Sequence, residues 1–256
     1  MSKVVVIIPC YNEADRFPQQ EFFNSFISYP SMTFLFVNDG SKDATLEILQ
    51  EWQKEYDNVL VIDKQPNSGK ASAVRFAMLH AVEKIDFDYI AYFDADLATS
   101  LDEIPVFFNI FEQNNTLKMV VGSRVKRLGA NINRKWMRHI VGRIFATCAS
   151  ATLLLPTYDT QCGAKMLSKD VVYQLFKDEF ISKWLFDVEV FARLALIVGY
   201  PEVKNSIYEY PLDSWIEKGD SRIKLKDFTR FPIDLFRIFR KYHRSLKRQK
   251  NNFEKS

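Results

Sequence analysis

Five short apolar runs in the first half of the chain, several of them separated by stretches with helical spacing, restrict its fold more than any other feature. They are "KVVVII" (3–8), "TFLFVN" (33–38), "NVLVID" (58–63), "DYIAYF" (88–93) and "KMVVGS" (118–123). Apolar residues at consecutive rather than alternate positions mark a strand covered on both faces. After the second run, "SKDATLEILQEWQKEY" reads as a helix with Ser41 or Asp43 as its N-cap. After the third, Val74, Ala77, Met78, Ala81, Val82 and Ile85 recur at helical intervals. This alternation predicts an α/β fold, a mostly parallel sheet with helices on both faces. Ligands of such sheets gather at the carboxyl ends of the strands.

The second half is less regular. Trp136 to Leu155 reads as a long helix, "TQCGAKMLS" as a strand, "WLFDVEVFARLALIVGY" as a buried helix and "KNSIYEYPL" as a late strand. The last helix, "FPIDLFRIFRKYHRSLKRQK", is aromatic first and basic later. The expected division is a catalytic domain over 1–227 and a basic amphipathic tail over 228–256.

A net charge of +3 in 256 residues argues against a nucleic-acid partner. Cys10, Cys148 and Cys162 are odd in number and far apart, which fits neither a disulfide framework nor a zinc site and suggests a reducing, cytoplasmic compartment. "KVVVIIP" is cut short by Pro9, Asn12 and Glu13 without a cleavage site, so no signal peptide is expected. "IFATCASATLLLP" is shorter than the roughly 20 apolar residues of a membrane span.

Four successive strands lead into polar groups. The first leads to Pro9, Tyr11, Asn12 and Glu13; the second to Asp39; the third to "NSGKASA" with Lys70 opening a helix; the fourth to Asp94 and Asp96. Parallel strands bring these to one sheet edge. A carboxylate pair there suits Mg²⁺ or Mn²⁺, hard cations that take oxygen ligands and are completed by substrate phosphates. Such an ion would neutralise a nucleotide diphosphate as leaving group, and Asp39 and Glu13 suit nucleoside hydroxyls or a base edge. Each signal alone has a plainer reading: Asp-x-Asp is usually a solvated loop, and Asp39-Gly40 a turn. "NSGKAS" lacks the upstream glycine of a P-loop. The specificity lies in four such signals in order.

"IPCYNE", "VNDGSKD", "NSGKASA" and "DADLATS" resemble the donor-binding motifs of family 2 inverting glycosyltransferases with the GT-A fold, a Rossmann-like sheet. "GSR" (122–124), "YDTQCGAKM" (158–166) and "WLFDVE" (184–189) are similar to the polyprenyl-phosphate branch, and most of all to dolichyl-phosphate β-glucosyltransferases. The resemblance implies transfer of glucose from UDP-glucose to a lipid phosphate on the cytosolic face of a membrane. It implies that Pro9, Tyr11, Glu13 and Asp39 hold uridine, and that Lys70 and Asp94 hold the nucleotide or its sugar. Asp96 would bind the metal, with Asp94 beside it. Asp159 would lie by the reacting centre, and Arg124 and Arg222 would meet phosphate, with Lys224 nearby. Ala98 stands where mannosyl relatives often carry Gln, which favours the glucosyl branch, and no hydrophobic anchor of the kind many relatives carry is expected.

A lipid phosphate, with a second pKa of about 6, needs no strong base, but it needs cations to approach a second anion. Asp159 is therefore expected to orient the acceptor or a cation rather than take a proton. Of Asp187 and Glu189, at least one is expected to face the cleft. Residues 132–155 and the tail are candidates for peripheral membrane contact, against the plainer readings of sheet packing and a solvated helix. A membrane-embedded partner subunit is the other way to supply an anchor. The rival functions are a family 2 enzyme extending a surface polysaccharide and a non-catalytic nucleotide-sugar-binding module.

Overall fold

The computed structural model describes residues 2–133, 136–216, 218 and 230–253. Arg222 and Lys224 lie outside them. In chain order the first elements are β1 (Val4–Cys10), α1 (Gln19–Ser28), β2 (Thr33–Asp39), α2 (Thr45–Glu55), β3 (Val59–Lys64), α3 (Lys70–Lys84) and β4 (Tyr89–Phe93). Then come α4 (Glu103–Gln113), β5 (Met119–Ser123), β6 (Asn131–Asn133), α5 (Trp136–Leu153), β7 (Ala164–Ser168), α6 (Lys169–Phe176), α7 (Phe186–Val198) and α8 (Tyr200–Ser206). Strands β8 (Ile207–Pro211) and β9 (Ser214–Ile216) follow. Helix α9 (Phe231–Ile238), a π-helical turn (Phe239–His243) and α10 (Arg244–Phe253) run on as one rod.

The main sheet has the order β3-β2-β1-β4-β7-β5-β8, with helices on both sides. β1 to β4 are parallel, and Ile7 stands between Leu35 and Tyr92. β7 is reversed against β4 and β5, and β8 is parallel to β5. The carboxyl ends of β1 to β5 thus share one edge, and β7 begins there. β6 and β9 form a separate two-stranded ladder.

Four of the five apolar runs, β1, β2, β4 and β5, are covered on both faces, and Val5 to Ile8 and Ile90 to Phe93 are fully buried; β3 stands at the sheet edge, where Val59 is buried but Leu60 is exposed. On one side of β2, Phe22 and Phe26 of α1 and Trp52 of α2 surround Phe36, with ring centroids 5.3 to 6.0 Å away. Each such burial contributes about 1.5–3 kcal/mol. The apolar residues of α3 at helical spacing, Val74, Ala77, Met78 and Ala81, are all buried.

The basic tail helix packs into the same core. Ile238, Tyr242 and Leu246, four residues apart, bury one stripe of it and leave the arginines and lysines outside. The Tyr242 hydroxyl donates to Glu189 Oε1 at 2.6 Å, and Arg193 reaches the same carboxylate oxygen at 3.0 Å. Ser182 Oγ donates to Asp234 at 2.7 Å. Glu189 is fully buried and faces the tail helix rather than a cleft.

Candidate active site

Asp39, at the end of β2, organises the loop before α3. It is almost fully buried, and its carboxylate accepts Lys64 Nζ at 2.8 Å, the Asn67 amide at 3.1 Å and the Gly69 N–H at 2.7 Å. Gly69 has φ +94°, a conformation that lets its N–H turn back to Asp39. α3 therefore opens, with Lys70 as its first residue, at the sheet edge. The end of β1 is stitched to the start of α2: the Glu13 N–H donates to Thr45 Oγ1 at 2.8 Å and the Asn12 N–H to Ser41 Oγ at 3.0 Å. Glu13 is buried and Tyr11 half-buried in that loop; Pro9 sits in β1 opposite Val37.

Lys70 Nζ lies 2.5 Å from Asp94 Oδ1. Burial works to lower the pKa of Lys70, but Asp94, Asp187 and Asp96 outweigh it and hold the ammonium above its ordinary value. The Asp96 pKa is raised as well, which for a carboxyl disfavours the charged form: burial first, then the Asp94 charge, lifts it above the usual range. The Ala98 N–H donates to Asp96 Oδ1 at 3.0 Å, across Leu97 in a left-handed conformation (φ +47°). Non-glycine residues adopt that conformation at a cost and concentrate at functional sites. Asp94 is also set by its neighbour across the sheet. Its N–H bonds the Gly163 carbonyl at 3.1 Å, and a Cβ on Gly163 would lie 1.9 Å from Asp94 Oδ2.

Arg124, just past β5, meets Asp159 in a two-pronged pair: Nε to Oδ2 at 2.6 Å and Nη2 to Oδ1 at 2.8 Å. The Asp159 N–H and the Tyr158 N–H both bond Glu209 of β8 at 2.9 Å. Trp215 of β9 lies under the guanidinium, 5.3 Å from ring centroid to Cζ. Burial would raise the Asp159 carboxyl, but the Arg124 charge and its hydrogen bonds bring it down to about 2. Burial likewise works against Arg124, and Asp159 more than offsets it, so the guanidinium is held charged.

The structure thus brings Lys70, Asp94 and Asp96 together, and brings Arg124 onto Asp159 at the same edge. Of Asp187 and Glu189, of which at least one is expected to face the cleft, Asp187 lies beneath this edge. It accepts the Tyr92 hydroxyl and the Lys165 ammonium, each at 2.7 Å, and its charge acts on Lys70. Lys165 is fully buried, with its second bond to the Cys162 carbonyl at 2.6 Å. Neither Lys165 nor Glu209 stands out in the sequence: one sits within an apolar strand, the other between two tyrosines. A lysine at an inward strand position is the only signal the first offers, since such a charge demands a buried acid.

For a divalent cation the available donors are Asp94 and Asp96. Among the described residues no group of three or more His, Cys, Asp or Glu side chains converges as a metal site. Two hard carboxylates that repel one another, one with its pKa raised first by burial and then by its neighbour, fit an ion whose remaining ligands are water and diphosphate oxygens.

Solved structures place the fold. Glucosyl-3-phosphoglycerate synthase from Mycobacterium tuberculosis, in complex with phosphoglyceric acid, superimposes with a TM-score of 0.70 at 12% identity, over 94% of this chain and 80% of that one. The same enzyme with Mn²⁺, UDP and glucosyl-3-phosphoglycerate gives 0.67. The fold is that of the GT-A glycosyltransferases. The family model described as glycosyl transferase family 2 matches residues 5–176, and the chain belongs to that family. A dolichyl-phosphate beta-glucosyltransferase of Trichomonas vaginalis is 29% identical over 248 residues, 92% of this chain and 72% of that protein. The Homo sapiens dolichyl-phosphate beta-glucosyltransferase is 26% identical over 239 residues, 84% of this chain and 72% of its own length.

Proposed function

We propose that this glycosyltransferase moves glucose from UDP-glucose to a polyprenyl phosphate at a membrane surface. The observation that carries the proposal is the state of Asp159. An acid held near pKa 2 by two bonds from Arg124 is a poor general base. An acceptor that arrives already ionised, as a phosphate monoester does at neutral pH, needs no base at that position. The names of the sequence relatives support the same acceptor and sugar.

In this reading the acceptor phosphate oxygen attacks the anomeric carbon, the bond from that carbon to the diphosphate oxygen breaks, and UDP leaves with the electron pair. Arg124 lowers the cost of bringing two anions together, and Asp159 with Trp215 fixes the plane of its guanidinium. Arg222 and Lys224 are assigned the same work on phosphate. The positive end of α3 and Lys70 face the donor phosphates. Asp39 and the Asn12–Glu13 turn, with Pro9 and Tyr11, shape the uridine side. Mg²⁺ or Mn²⁺ held by Asp96 and Asp94 would neutralise diphosphate charge when bound.

No helix among the described residues is long and apolar enough to cross a membrane. Peripheral contact on the cytosolic face is supported by exposed Ile140, Val141 and Ile144 on α5 and by Ile233, Phe236 and Phe239 on the tail helix, with Arg237 and Arg240 among them. A membrane-embedded partner could share that role.

The test is transfer by purified protein, with Mg²⁺ or Mn²⁺, from a panel of UDP- and GDP-sugars to a short polyprenyl phosphate. A glycolipid formed from UDP-glucose alone is expected. UDP bound tightly with no transfer from any donor would reject the acceptor, and no UDP binding would reject the donor site.

A further inference from the structure

The segment 181–186, which leads into α7, crosses the opening of α3 at two points. At one, the Phe186 ring lies beneath the Lys70 ammonium, 5.8 Å from centroid to Nζ. At the other, the stem of Lys183 covers the bare face of Gly69: a Cβ on that glycine would meet Lys183 Cδ at 3.4 Å, Cβ at 3.8 Å and Cγ at 3.9 Å. Gly69 is the residue whose N–H holds Asp39, and Lys70 follows it. The apolar part of the Lys183 side chain thus packs at the donor edge, as lysine stems do when the ammonium stays in water.

The backbone under Lys183 is pinned. Ser182 Oγ accepts the Trp184 N–H at 3.3 Å and the Leu185 N–H at 3.0 Å while donating to Asp234 of α9. The Ile181 N–H donates to Glu189 Oε2 at 2.8 Å. Lys183 itself is exposed, and among the described residues its ammonium has no ion pair or hydrogen bond. The other lysines of this edge are engaged: Lys70 by Asp94, Lys64 by Asp39 and Lys165 by Asp187. Two carboxylates, Asp94 and Asp96, stand here against the single ammonium of Lys70. A divalent cation on the two acids reverses that sign, but a diphosphate brings charges of its own and gains more as the bond to the sugar breaks. A cation with no protein acid beside it stabilises that growing charge best.

We infer that Lys183 binds the donor diphosphate, reaching across Gly69 beside Lys70, with Ser182 and Ile181 fixing the loop that presents it. The inference rests on the reading of this edge as a nucleotide-diphosphate site and adds to it a binding residue from the other end of the sequence.

The experiment is calorimetric titration of the full chain with UDP in the presence of Mn²⁺, and separately with farnesyl phosphate. It compares wild type with Lys183→Arg, Lys183→Gln and Lys183→Glu. The position is exposed, so the four proteins should melt within a degree or two of one another. UDP affinity is expected to follow the charge: within about twofold of wild type for Arg, about fivefold weaker for Gln and weaker again for Glu, with the differences shrinking at high salt. Farnesyl phosphate affinity should stay within about twofold throughout. UDP affinity that is unchanged in both the Gln and the Glu variants would overturn the inference. Equal losses in all three variants, Arg included, would also overturn it, because they would trace to packing of the stem and not to charge. A loss confined to farnesyl phosphate would move Lys183 to the acceptor and overturn the donor assignment. A wild type that binds no UDP, before any substitution is made, would instead reject the donor reading beneath it.

Discussion

Gly163 has no room for a side chain, because the Asp94 carboxylate occupies the place of its Cβ. Gly163→Ala is expected to displace Asp94 from Lys70 and to reduce UDP-sugar affinity at least tenfold, with a fall in melting temperature of a few degrees. Calorimetry and thermal unfolding check both. The Arg124–Asp159 pair makes a second residue-level prediction. The Asp159 pKa is depressed, so its contribution to stability is present above the ordinary value of 3.8 and is lost as pH falls toward about 2. Its size is on the order of 2 kcal/mol. Asp159→Asn leaves Arg124 buried beside a neutral partner and should cost about 3 kcal/mol and most activity. The pH profile of the wild type should show no limb between pH 5 and 8 from Asp159, and a limb there that vanishes in Asp159→Asn would restore it as a base. "YDTQCG" marks Asp159 in the sequence, but nothing local reveals its partner, which lies 35 residues earlier.

At the scale of elements, the tail helix behaves differently from what its composition suggests. A run of arginines and lysines reads as a solvated segment. The apolar stripe Ile238, Tyr242 and Leu246 is visible only once the helix is in phase through the π-helical turn. Truncation after Phe236 would strip that stripe and leave Glu189 with Arg193 but without the Tyr242 hydroxyl, so it should unfold the protein rather than merely weaken vesicle binding. Tyr242→Phe removes one bond to Glu189 and should cost about 1–2 kcal/mol, read by denaturant melting. A cleaner probe of membrane contact is Ile144→Glu with Phe236→Glu, both on exposed positions. The pair should reduce sedimentation with anionic vesicles several-fold while leaving UDP binding intact. Helices α3 and α7 were legible because apolar residues recur along them. The placement of Asp187 and Glu189 was not, because a buried acid depends on Lys165, Tyr92, Arg193 and Tyr242, all distant in sequence.

For the molecule as a whole, β–α alternation was enough to place β1 to β4 and the polar groups at their ends. The reversed β7 escaped, since an apolar run carries no sign of its direction. Its reversal matters, because it delivers Asp159 to Gly163 to the same edge as Asp94 and Asp96. If those two acids take a divalent cation, Mn²⁺ or Mg²⁺ with UDP should raise the melting temperature more than UDP alone, and Asp96→Ala should abolish the difference. An equal rise in that variant would reject the metal assignment.

The sheet order has a consequence for synthesis. β4 waits about 75 residues for β7, and β5 waits about 90 for β8. Four parallel strands can gather while the chain is still emerging from the ribosome, but one flank of β4 stays open until β7 appears. Glu189 and Arg193 remain without Tyr242 until the final helix is made. A nascent chain therefore exposes an unpaired strand edge until β7 and β8 are made, and a buried-type ion pair until Tyr242 is, the kinds of surface through which partly folded chains aggregate.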